Sequence, residues 1–177
     1  TRGRSLEDDT GEKNRKEAKK VKHKKRSPTL EDLVELDESM DTARDSFSVW
    51  FLGSCPLRKG TLRQTLWNDL KETGDPEVPY YMVIESDRLK GKYANAFHIG
   101  FLHAYATQKL RKYEEELKLY GIDKTPNSPI FVALRDTKTK TKEGKQVIVK
   151  KGEALQNFNH VYRDASLKAW GDLDEKR

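Results

Sequence analysis

The chain of 177 residues has room for one domain of ordinary size plus tails, and with 34% hydrophobic against 36% charged residues its core must be small. A net charge of +6 from 35 Lys and Arg points to a polyanionic partner such as RNA, DNA or an anionic surface. The single cysteine, Cys55, excludes an internal disulfide and a Cys-built zinc site, and no apolar run approaches membrane length, so no membrane partner is expected.

Residues Thr1 to Pro28 have almost no apolar content, and acidic Glu7-Asp8-Asp9 gives way to a basic cluster with Lys19, Lys20, Lys24, Lys25 and Arg26. Such a stretch buries too little surface to offset its ordering entropy, which predicts a disordered arm when alone. The cluster reads as a nuclear-localisation signal, a phosphate-binding arm or a plain solvated tail. Thr29 is a candidate cap for a short helix carrying Leu30, Leu33, Val34 and Leu36, and the acidic stretch Asp37 to Asp45 reads as a linker. The domain boundary is expected near Arg44, giving an arm and linker over 1–45, a domain over 46–136 and an extension over 137–177.

From Ser46 the pattern sharpens. Phe47, Val49 and Phe51 alternate with Ser48, Trp50 and Leu52, which predicts a first strand, with Cys55 ending it as a small buried residue. Thr61 then caps a predicted helix marked by Leu62, Leu66 and Leu70, and Gly74 stops it. Val78 to Glu85 reads as a second strand, Asp87 to Lys92 as a basic turn, and Ala94 to Leu102 as a third strand paired with the second. Leu110, Tyr113, Leu117 and Tyr120 fall on one face of a helix over about 105–120, ended by Gly121. Ile130, Val132 and Leu134 alternate in a fourth strand. Beyond it lie a Lys/Thr-rich hairpin tip (Thr137 to Lys145), a short strand (Gln146 to Lys150) and a C-terminal helix with Leu155, Phe158, Tyr162 and Trp170 on one side.

The order β-α-β-β-α-β is the split βαβ pattern: an α+β, ferredoxin-like fold with a four-stranded antiparallel sheet backed by two helices. With Trp50-Phe51-Leu52-Gly53-Ser54-Cys55-Pro56 on the first strand, and Lys90-Gly91, Phe97 and Phe101 near the third, the chain resembles the RNA-recognition motif over residues 47–136. Ser54 stands where that family usually has Asn. The resemblance implies RNA binding, because flat side chains on an open sheet replace the stacking that splayed bases lose. It carries the stacking positions onto Phe51 and His98, with Ala96 where a second aromatic is expected. In that register Phe97, Ile99 and Phe101 are core; a slip of one residue exposes Phe97 and Phe101 and buries His98. Further outward candidates are Tyr81 and Arg135. Arg88, Lys90 and Lys92, and at the far end Lys138, Lys140, Lys142 and Lys145, are candidate phosphate contacts or ordinary solvated loop cations.

The same topology houses rolling-circle replication nucleases, which pair two His on a central strand for a metal and use a Tyr nucleophile. Here only His98 of that pair is present, with Glu85 as a third ligand and Tyr105 or Tyr113 as nucleophile. One His and one carboxylate make a poor divalent site. No Gly-rich phosphate loop, Ser-His-Asp arrangement or paired cysteine motif occurs. The expectation is a non-catalytic, cofactor-free RNA-binding subunit of a ribonucleoprotein, with other protein subunits as partners. The alternatives are a protein-binding sheet in an assembly such as a ribosome or splicing particle, and a degenerate nuclease. A nuclear or cytoplasmic location is expected, or an organelle if the N-terminus, which opens at Thr1, is processed.

Overall fold

The computed structural model describes residues 28–89, 97–140, 144 and 146–170. Among the described residues five helices surround a three-stranded and a two-stranded antiparallel sheet, a mixed α/β architecture. The helices are α1 (Leu30–Glu38), α2 (Ala43–Ser54), α3 (Lys59–Leu62), α4 (Ala104–Leu119) and α5 (Phe158–Trp170). β1 (Leu70–Glu72), β2 (Tyr80–Glu85) and β3 (Phe97–Leu102) form the larger sheet in that order, and β4 (Thr137–Lys140) pairs with β5 (Gln146–Val149) in a separate hairpin.

Several elements follow their sequence signals. Thr29 and Asp32 close a capping box at the start of α1, each side chain accepting from the other residue's amide, at 3.2 and 2.7 Å. α4 buries Leu110, Tyr113 and Leu117 along one face, and Gly121, at φ +60°, takes the left-handed turn after it. β2 and β3 pair antiparallel from Tyr80↔Leu102 to Glu85↔Phe97.

The first predicted strand is a helix. Ala43–Ser54 is buried on nearly every side, with Arg44, Asp45 and Phe47 to Phe51 all enclosed, so an alternating reading and a helical one both find apolar residues in the right places. The deciding signal is local. Thr42 caps the helix by accepting from Asp45 N at 3.1 Å, and the Glu116 carboxylate of α4 receives the amides of Ala43 and Arg44 at 3.2 and 2.8 Å. The acidic stretch read as linker is therefore built in. Asp37 is buried, pairs with Lys109 of α4 at 2.5 Å and accepts from Ser46 Oγ.

The helix predicted from Thr61 is only the single turn α3; Trp67–Asp69 instead make a 3-10 turn, and Leu70 starts β1 opposite Met82. The fourth predicted strand is not one either. Ile130 to Leu134 is buried, as its alternation required, but its backbone is satisfied piecemeal. Ile130 N donates to Thr65 O at 2.9 Å, Ile130 O accepts from Tyr113 Oη at 2.7 Å, and Phe131 O accepts from Leu155 N at 2.9 Å. Val132 O takes the Arg44 guanidinium at 3.1 Å, and Ala133 exchanges bonds with Glu153 and Gly152 at 2.8 Å. Among the described residues, the expected four-stranded sheet is thus replaced by three strands and a detached hairpin.

The core is an aromatic stack. Phe47, Phe51, Tyr113 and Phe131 meet with ring centroids 5.2–6.4 Å apart, and Phe158 of α5 closes the far side against Phe131 at 5.5 Å. α5 is also tied to α2 and to the link before it: Tyr162 Oη donates to Ser48 Oγ at 2.8 Å, and Lys168 pairs with Asp41 at 2.6 Å.

Candidate functional site

Of the two stacking positions that the resemblance implied, neither stands on an open face. Phe51 is 0% exposed, edge-on to Phe47 and Phe131, because α2 and not a strand carries it. His98 is half-buried on the helix side of the sheet, directly opposite buried Ile84, and its enclosed Nε2 has no hydrogen-bond partner among the described residues. The register is the one-residue alternative. Gly100 and Leu102 face the core, so Phe97, Ile99 and Phe101 face out, at 63%, 45% and 56% exposure.

The cause is a close approach. A β-carbon on Gly100 would lie 2.9 Å from Cys55 Cβ and nearer still to its Sγ, so only glycine lets β3 settle onto the end of α2. Cys55, buried there, follows a helix and not a strand, and burial pushes its thiol up to about 11.

The resulting open face is read off the ladder. Residues directly opposite one another share a side, so Lys71, Tyr81 and Phe101 form one rung, Val83 and Ile99 the next, and Glu85 and Phe97 the last. Tyr81 and Phe101 lie 6.4 Å apart at a tilt of 37°. The surface is apolar and aromatic, with one cation and one anion at opposite corners.

Arg88 is not available as a phosphate contact. Its guanidinium is held bidentately by Asp69 at 2.5 and 2.7 Å, and that hydrogen-bonded carboxylate raises its already high pKa. Asp69 in turn accepts from Leu66 N at 2.8 Å, so the pair anchors the 3-10 turn to the end of β2. Arg135 is exposed, just before β4. Lys19, Lys20, Lys24, Lys25, Arg26, Lys90 and Lys92 lie outside the described residues, as do Lys142 and Lys145.

The groups of the nuclease alternative are not brought together. Glu85 faces the open side and His98 the helix side; Tyr113 is buried with its hydroxyl on Ile130 O, and Tyr105 packs edge-on against Trp50 at 4.4 Å. Among the described residues no three His, Cys, Asp or Glu are grouped to hold a metal ion, and no helix is long and apolar enough to cross a membrane.

A second surface escaped the sequence reading. Between the β4–β5 hairpin and the start of α5 runs a cleft of about 760 Å³ whose walls include Arg44, Arg135, Lys138 and His160. Arg135 and Lys138 are candidates on sequence grounds, but the cleft that brings them together depends on how the hairpin sits, which no periodicity records.

No protein-family model matches the chain, and no curated protein is similar to it in sequence.

Proposed function

We propose that the protein is a non-catalytic RNA-binding subunit that takes single-stranded RNA on the open face of its three-stranded sheet. The observation that carries the reading is the grouping of Tyr81, Phe97 and Phe101 on that one face. It has the function of the RNA-recognition motif's platform with different residues and a smaller sheet. Base stacking on such rings is worth about 1–3 kcal/mol per base and tolerates any sequence. The face itself has little charge, so affinity for phosphates has to come from elsewhere. The first 27 residues hold 11 Lys and Arg against five Asp and Glu, while residues 28–177 hold 24 of each. The arm's excess therefore equals the entire net charge, and it contributes to the salt-dependent share of binding.

The test is the affinity of the full chain for an oligouridine RNA. The Phe97→Ala/Phe101→Ala double variant is expected to bind at least tenfold more weakly, at unchanged thermal stability. Deleting residues 1–28 is expected to lower the slope of log affinity against log salt instead. Equal affinity in the aromatic variant would sink the platform.

One observation favours a second reading. Val83 and Ile99 fill the rung between the aromatic ones, and aliphatic side chains give a base no stacking partner but suit the core of a protein interface. In that case the face docks another subunit of an assembly, and unchanged RNA affinity in the aromatic variant is the result that reading expects.

A further inference from the structure

We propose that the cleft between the β4–β5 hairpin and α5 is a backbone-phosphate site, with Arg135 and Lys138 as its charges. The proposal rests on the nucleic-acid reading above but not on the sheet face. The argument begins with which charges in the cleft are already neutralised. Arg44 is paired with Asp45 at 2.7 and 3.0 Å and bonded to Val132 O, and Asp41 is paired with Lys168 at 2.6 Å. Arg135 and Lys138 both line the cleft, both are exposed, and among the described residues neither side chain has an ion pair or a hydrogen bond. Two uncompensated cations in one concave surface leave it positive.

The surrounding sequence strengthens that sign. Residues 137–151 hold six Lys and one Glu, whereas the rest of residues 28–177 holds 18 Lys and Arg against 23 Asp and Glu. Charge of this kind is ordinary solvated lysine when it is spread over a convex loop. Here the hairpin is a separate two-stranded sheet, and register places Lys138 opposite Ile148, which is itself exposed. A phosphodiester with its flanking sugars presents that same combination, anionic oxygens beside apolar ring edges. At about 760 Å³ the cleft is of the size that holds such a group. Arg135 suits the planar pair of non-bridging oxygens, and Lys138 adds a point charge.

Fluorescence anisotropy of the full chain with two probes, a 20-nucleotide oligouridine RNA and a 20-base-pair DNA duplex, between 50 and 200 mM NaCl tests the proposal. Each neutralised phosphate contributes about 0.7 to the slope of log affinity against log salt on a single strand and about 0.9 on a duplex. Arg135→Ala/Lys138→Ala is expected to lower that slope by about 1.4 on the RNA or about 1.8 on the duplex. A change on one probe alone identifies the source of the phosphate, and changes of about 1.4 and 1.8 together show a site that takes phosphodiesters of either kind. Arg135→Lys/Lys138→Arg is expected to keep the parent slope, which separates charge from shape. An unchanged slope in the alanine variant, with the parent binding normally, overturns the cleft and leaves the sheet reading standing. Loss of slope with the Phe97→Ala/Phe101→Ala variant still at parental affinity supports the cleft and removes the sheet. A parent chain that binds neither probe overturns both.

Discussion

Gly100 of β3 rests directly on Cys55 at the end of α2, with no space for a side chain between them. Gly100→Ala must push two buried backbones apart, and overpacking of that kind costs about 1–3 kcal/mol. Because Sγ is the nearest atom, Cys55→Ala in the same chain is expected to recover part of the loss, which a double-mutant cycle in urea measures as a favourable coupling. A Gly100→Ala protein with the parental midpoint would contradict the packing.

Phe51 and Phe97 make opposite predictions from the same residue type. Phe51 is enclosed by Phe47 and Phe131, so Phe51→Ala should destabilise by about 3–5 kcal/mol, enough to unfold much of the population. Phe97 is exposed, so Phe97→Ala should stay within about 0.5 kcal/mol of the parent. Thermal melts of the two variants distinguish a buried ring from a platform ring, and similar melting points would refute the assignment.

Arg88 is expected to behave as a structural residue. Arg88→Ala leaves the Asp69 carboxylate, itself buried, with Leu66 N as its remaining partner. Losing a charge-assisted pair of this geometry should cost about 2 kcal/mol in urea unfolding. RNA affinity measured well below the melting point should not move; a weakened complex at full stability would return Arg88 to the binding surface.

The pH dependence of stability follows from four partly or fully desolvated groups. Burial raises Cys55 to about 11, and raises Tyr113 and Tyr162 above the ordinary phenol value. Each stays neutral in the fold while the unfolded chain ionises, so stability is intact below the unfolded value and falls as pH climbs from it toward the folded one. The decline should start near pH 9 with Cys55 and steepen beyond about 10 with the tyrosines. On the acid side burial lowers His103, whose Nδ1 accepts from Ala106 N at 3.1 Å at the start of α4. That cap is lost on protonation, so stability should also fall as pH drops below about 6.5. Urea midpoints from pH 5 to 11 trace both limbs. Cys55→Ala should delay the alkaline one, and a flat profile would show that these groups are solvated.

Where the sequence was legible, one local rule sufficed. The Thr29 cap, the apolar stripe of α4, the β2–β3 pairing, the hairpin and α5 each rest on signals within a few residues. The illegible parts depended on distant partners. Phe47, Val49 and Phe51 satisfy a strand period only because the helix they belong to is buried almost all round. Ile130 to Leu134 alternates like a strand, yet Thr65, Tyr113, Leu155 and Arg44 take its polar groups one at a time. The face of β3 was decided by Cys55, 45 positions upstream of Gly100, so the outward rings came out as Phe97 and Phe101 in place of His98. Of the site residues, Tyr81 and Arg135 were within reach of strand alternation and exposure. The cleft was not.

Tyr162 reaches back 114 residues to Ser48, and Phe158 completes the stack around Phe131. On the ribosome this orders events in time. At about 5–20 residues per second, α2 emerges roughly ten seconds before the helix that covers it is made. During that interval the aromatic side of α2 has no lid, and the newborn chain is at its stickiest. A stop codon ahead of Phe158 would make that interval permanent, giving a product that chaperones hold and proteases clear.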